Sequence, residues 1–154
     1  MLIYTHLITT IFFILLFIED VAIENKLVFV LVALVATYIP DLDSRFSSIG
    51  QRKIFRPLQW FVKHRGILHS FSFLLIISMA LYYFYPTVLF PFILGYGLHL
   101  FSDGLTKQGI ILFYPFSWRV KGIIKTGGII ETTLFVLLLL GSLWLFLRMF
   151  YSVF

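Results

Sequence analysis

Five stretches of the chain, residues 2–18, 27–39, 67–85, 88–106 and 129–151, are almost wholly apolar. Each is a continuous run without the strict alternation of a lipid-facing barrel strand, so each predicts a helix. The second is short against the roughly 20 residues that cross a bilayer. It predicts a tilted helix, a locally thinned bilayer, or a start within residues 23–26. The third run stops before Pro86, where a helix does not easily continue. The first run is as apolar as a signal-peptide core, but it has no basic n-region and no small-residue cleavage motif. It therefore reads as a first span, followed by Glu19, Asp20 and Glu24 in the loop beyond it.

Composition turns this pattern into a membrane assignment. The chain has 154 residues, the size of one domain spanning 1–154, of which 60% are hydrophobic and 12% charged. An ordinary soluble domain has roughly 25% charged residues, so there are too few here to coat a soluble globule. Disorder is excluded by the wealth of aliphatic and aromatic residues. Cysteine is absent, which removes disulfides, thiolate metal sites and cysteine nucleophiles. The net charge of +5 does not argue for nucleic acid, because the basic residues lie between apolar runs rather than along one soluble face. Membrane lipid is the expected partner, and nothing fixes the oligomeric state.

Charge sets the expected orientation. Residues 40–66 hold Arg45, Arg52, Lys53, Arg56, Lys63 and Arg65, and residues 107–128 hold Lys107, Arg119, Lys121 and Lys125, together ten of the twelve basic residues. The two loops share a side in a five-span arrangement, so that side is cytoplasmic, with the N-terminus inside and the C-terminus outside. Within the first loop Ile54, Phe55, Leu58, Phe61 and Val62 recur at helical spacing opposite Arg52, Arg56, Gln59 and Lys63. That predicts a short interfacial helix against anionic lipid, the plainer alternative being a solvated basic loop. Phe113, Tyr114, Pro115, Phe116 and Trp118 in the second loop suit the headgroup layer.

The ionisable residues converge on the same side. His6, Asp41, Asp43, His64, His69, His99, Asp103 and Glu131 all fall at the expected inner helix ends: all four histidines and four of the seven acids. Ionisable residues are expensive in a membrane and call for a function. His99 and Asp103 are four apart and share a helix face, with Gly95, Ser102 and Thr106 on the same polar stripe. Imidazole and carboxylate together are ligands for zinc, manganese or iron. Eight such groups exceed one tetrahedral site, so two metals, or one metal with outer carboxylates, fit the count. Singly, each residue has a plainer reading: Asp41 a turn residue, Asp43 a cap, His99 with Asp103 a buried hydrogen-bonded pair, Glu131 a partner of Lys125 or Arg119.

The motifs Pro40-Asp41-Leu42-Asp43, His64-Arg65-Gly66-Ile67-Leu68-His69-Ser70, His99-Leu100-Phe101-Ser102-Asp103 with Thr106 and Gly109, and Tyr114-Pro115-Phe116, with Thr5-His6-Leu7 and Glu131 at the ends, resemble the YdjM-type membrane-bound metal-dependent hydrolases. Leu68 departs from the threonine usual there. The resemblance implies a multi-pass inner-membrane hydrolase, distantly similar to zinc-dependent phospholipase C, and hence phosphoester cleavage at a metal cluster.

The reading is thus an all-α integral membrane protein of about five transmembrane helices with a cytoplasmic interfacial helix. It carries a divalent metal, zinc before manganese or iron, on His6, Asp41, Asp43, His64, His69, His99, Asp103 and Glu131. Asp43 or Glu131 is the expected general base, and Arg65 the group that stabilises phosphoryl charge. The substrate is a lipid or lipid-linked phosphoester, anionic at the inner leaflet. The rival is a non-enzyme, either a metal staple across helix ends or a transporter. Transport is disfavoured because the outer halves of the helices are almost wholly apolar.

Overall fold

The computed structural model describes residues 1–19, 25–43, 51–61 and 66–152. Apolar runs become helices where predicted: α1 (Ile3–Phe17), α2 (Lys26–Tyr38), a short α3 (Arg56–Phe61), α4 (Phe71–Phe84), α5 (Pro86–Gly104) and α6 (Ile129–Ser152). Asn25 caps α2 by accepting from the Val28 amide. Pro86 opens α5 at a position where its missing N–H is no loss. The centre of the fold is α5, which packs against α2, α4 and α1, while α6 lies along α1.

Two boundaries differ from expectation. The run beginning at residue 67 is not helical throughout, because a 3-10 turn over Ile67–His69 precedes α4. Ser70 is extended there (φ −120°, ψ 149°), and its hydroxyl caps α4 by accepting from Phe73 N. Phe71 N meanwhile donates to Leu112 O at 2.9 Å. The second basic loop is also more ordered than an aromatic linker. Ile110–Ile111 (β1) pairs antiparallel with Arg119–Val120 (β2), in the register Ile110–Val120 and Ile111–Arg119. Gly109 enters this hairpin at φ +65°, with Val120 O 2.0 Å from where a Cβ would stand.

Among the described residues one helix, Ile129–Tyr151, is long and apolar enough to cross a membrane, and α1 and α4 are shorter apolar helices. Only 17% of that long window is buried, the reverse of a soluble core helix, so its surface requires lipid or a partner. A short helix, α3, lies within the first basic loop, tied to the turn after α2 by Gln59 Nε2 donating to Leu42 O at 3.0 Å. Trp60 on this helix and Ile54 just before it are exposed, while Val62 and Lys63 lie outside the described residues.

One close approach sets the register of the core. A Cβ on Gly95 would lie 2.0 Å from Ala33 O, so α2 and α5 touch backbone to backbone, a closeness that small residues allow. One turn further along both helices come Thr37 and His99.

Candidate metal centre

The turn after α2, Pro40–Asp43, is a 3-10 helix. It delivers two carboxylates beside the 3-10 turn that carries His69. His6 comes from the first turns of α1, and His99 and Asp103 from the C-terminal end of α5. These side chains meet in two groups able to hold a metal ion, His6/His99/Asp103 and Asp41/His69/His99, which share His99. All are nearly fully buried except Asp41, whose side chain is 19% exposed.

The distances describe groups gathered around common centres rather than a closed hydrogen-bond network. His6 Nε2 lies 3.4 Å from Asp103 Oδ1. His69 Nε2 lies 3.8 Å from both Asp41 Oδ1 and Asp103 Oδ2, and His99 Nε2 lies 4.0 Å from Asp41 Oδ1. The latter three are too long for hydrogen bonds. The His6 and His99 rings stack at 3.9 Å with 6° between planes, and the Met1 ammonium meets Asp103 Oδ1.

Two imidazoles are oriented from behind. His99 Nδ1 donates to Thr37 O at 2.7 Å, and His69 Nδ1 to Asp43 Oδ2 at 3.1 Å. Those bonds place the proton on Nδ1 and turn the lone pair of Nε2 toward the carboxylates, as ligating histidines require. His99 Nε2 is buried with no hydrogen-bond partner. A buried nitrogen in that state is costly unless a cation accepts its lone pair, so the donor set fits a divalent metal. Burial raises the Asp41 carboxyl above its ordinary range, while His69 and His6 oppose the shift.

His6, Asp41, His69, His99 and Asp103 are brought together. Asp43 stands behind His69, at 3% exposure. Glu131 is buried to one side: its Oε1 accepts from Leu2 N at 2.6 Å and Thr5 Oγ1 at 2.9 Å, and its Oε2 from Gly127 N at 2.7 Å. It clamps the start of α1 to the start of α6, and neither metal-holding group contains it. His64 and Arg65 lie outside the described residues.

Sequence reasoning missed Thr37. Its hydroxyl bonds to Thr10 Oγ1 at 2.8 Å and donates to Ala33 O at 2.9 Å, and its carbonyl holds His99. The available signal was a threonine inside an apolar helix, four positions before Asp41. Tyr96, fully buried, donates to Leu68 O and fixes the peptide next to His69.

A family model described as YdjM inner membrane protein matches residues 1–153. Two curated relatives, each named Inner membrane protein YdjM, come from Escherichia coli (strain K12) and Shigella flexneri. Each is 30% identical over 125 residues, covering 73% of this chain and 64% of its own. The chain thus covers just under two thirds of the length of these relatives. No solved structure matches it.

Proposed function

The chain belongs to the YdjM family of inner membrane proteins, and on that premise we propose that it is a multi-pass, metal-dependent hydrolase cleaving a phosphoester of a lipid or lipid-linked substrate at the cytoplasmic interface. The observation that carries this reading is the pair of buried His/carboxylate groups sharing His99. Nitrogen and carboxylate oxygen together suit zinc, with manganese or iron as alternatives. His6, His99 and Asp103 would hold one position and Asp41, His69 and His99 the other, and the motif containing His64 makes that residue a further candidate ligand. A bound divalent ion supplies a water of lowered pKa and polarises a phosphoryl oxygen.

The chain's own groups do the rest. Thr37 O and Asp43 keep His99 and His69 in the ligating orientation. Asp41, at the exposed edge, is the carboxylate that a substrate reaches first and that can take a proton from the attacking water. Arg65 meets the phosphoryl charge.

Helix lengths support an amphiphilic substrate. With α1 at 15 residues, α2 at 13 and α4 at 14, these helices are roughly 20 Å long, against a hydrocarbon core of about 30 Å. In the five-span arrangement, with the N-terminus inside and the C-terminus outside, the bilayer thins around them. The metal centre then lies at acyl-headgroup depth, where a water-soluble substrate gains nothing.

A second reading has its own support: four of the five converging residues are closed off from solvent, as in a structural metal site without an open position. Purified protein of known metal content, assayed in vesicles against phospholipids and isoprenoid phosphates, separates the two. The hydrolase reading expects phosphate or headgroup release that a His69→Ala/Asp103→Ala variant lacks. Equal release by that variant and by fully metal-loaded wild type, across the panel, makes the staple the function.

A further inference from the structure

His99 belongs to both metal-holding groups, yet it can serve only one ion. Its Nδ1 is committed to Thr37 O at 2.7 Å, which leaves one lone pair, on Nε2. That lone pair lies in the plane of the ring, so a bound ion lies near that plane too. The His6 and His99 planes are tilted by 6° and stacked at 3.9 Å, and planes so nearly parallel do not meet near either ring. As the rings stand, one ion cannot lie on both. The His69 and His99 planes are inclined at 66°, with centroids 5.5 Å apart, and such planes do intersect. Ring orientation thus places His99 with His69 and Asp41, and leaves His6 to a second ion.

What the two positions share is Asp103. Its two oxygens face different imidazoles: Oδ1 lies 3.4 Å from His6 Nε2, and Oδ2 lies 3.8 Å from His69 Nε2. In a tetrahedral shell with bonds of about 2.0–2.1 Å, neighbouring ligand atoms stand about 3.4 Å apart, so each oxygen is near enough to share an ion with its own imidazole. The stacking distance also falls within the roughly 3.5–4 Å that separates the ions of two-metal sites. We propose that the centre holds two divalent ions bridged by the Asp103 carboxylate, the first on Asp41, His69 and His99 and the second on His6. The two are unequal. His69 and His99 are each oriented through Nδ1, by Asp43 and by Thr37, whereas His6 Nδ1 is buried with no hydrogen-bond partner among the described residues. The Met1 ammonium also meets Asp103 Oδ1, a cation that the second ion has to displace. The first ion is therefore held more tightly, by about 10–100-fold for the orienting partner that His6 lacks. The bridge couples the positions, so a change at His99 is felt at both. The proposal rests on the metal-binding part of the proposed function and not on hydrolysis.

The test strips the full chain in detergent with chelator and titrates it with zinc against a chromophoric competitor. Wild type is expected to take up two ions in two steps about 10–100-fold apart in affinity. His6→Phe keeps a ring stacked on His99 but offers no lone pair, and loses the weaker step alone. His6→Ala is the second variant should His6→Phe fail to fold. His69→Ala loses the tighter step. Loaded with manganese, wild type gives the electron paramagnetic resonance spectrum of an exchange-coupled pair, and His6→Phe that of isolated ions. One zinc on wild type at saturation overturns the proposal while leaving the metal reading in place. So does loss of the tighter step in a folded His6 variant, which seats His6 and His99 on the same ion. No zinc on folded wild type overturns both.

Discussion

Replacing Gly95 by alanine asks whether the metal centre depends on the α2–α5 contact one turn away from it. The added Cβ would stand 2.0 Å from Ala33 O and 2.8 Å from Ala33 C, where ordinary contact begins at 3.4 Å. The clash is with backbone, so no side chain can rotate to relieve it, and the helices must separate by about 1.4 Å. Overpacking of this kind costs about 1–3 kcal/mol. The same separation acts on the next turn, where His99 Nδ1 lies 2.7 Å from Thr37 O. Lengthened by that amount, the bond passes beyond hydrogen-bonding range. His99 then loses the partner that selects its tautomer, and since His99 belongs to both ligand groups, both are affected. Loss of such an orienting partner typically weakens metal binding about 10–100-fold. The assay is competition of purified Gly95→Ala protein against a chromophoric chelator, beside thermal unfolding of wild type and variant with and without metal. A variant of wild-type metal affinity, whether or not it is destabilised, would refute the idea that this contact positions His99.

Asp43→Ala should lower metal affinity about 10–100-fold while saturating stoichiometry is unchanged, because Asp43 touches the far nitrogen of His69; X-ray absorption showing one oxygen ligand fewer would instead make Asp43 a direct ligand. Glu131→Gln can satisfy Gly127 N, or Leu2 N with Thr5, but not all three, so it should cost about 1–3 kcal/mol of stability and leave metal content intact. Metal loss without destabilisation would put Glu131 among the ligands. Asp41 has a folded-state pKa above its unfolded value, so its contribution to metal-free stability is present at low pH and lost as pH rises through that raised pKa. Asp41→Asn should therefore unfold at the same or a higher temperature than wild type in chelator at neutral pH, yet bind metal more weakly, and a lower melting temperature in chelator would contradict the assignment of the shift to burial.

Much of this was legible because a membrane reverses the usual cost of polar residues. His99 and Asp103 stand out in an apolar helix by being there at all, and four-residue spacing puts them on one face without further knowledge. The start of α4 was not legible, because the hydrophobic run continues through residues 67–70. What ends the helix there is a serine cap and a backbone bond from Phe71 to the hairpin, and the second of these is tertiary. The hairpin itself has two-residue strands, too short for a period-2 pattern to register. Thr37 escaped because the atom that acts is its carbonyl oxygen, and every residue has one.

Ligand and support look alike in sequence for the same reason. Asp41 and Asp43 are two positions apart on a 3-10 turn, one reaching the shared centre and the other the back of His69. Glu131 has the composition of a ligand and the hydrogen bonds of a clamp. This division bears on whether the centre is catalytic. A staple needs its ligands held, and here most are: His69 by Asp43, His99 by Thr37, and the start of α1, which carries His6, by Glu131 through Thr5 and Leu2. Asp41 differs from them in exposure, its side chain 19% exposed and its carboxyl raised by burial. A purely structural site has no reason to leave one carboxylate at the edge, whereas a hydrolytic site requires a group there that can exchange a proton while the others stay fixed. Asp41 is therefore the residue at which the two readings diverge. Under the hydrolase reading Asp41→Asn removes activity beyond what its loss of metal accounts for, and under the staple reading it removes metal alone.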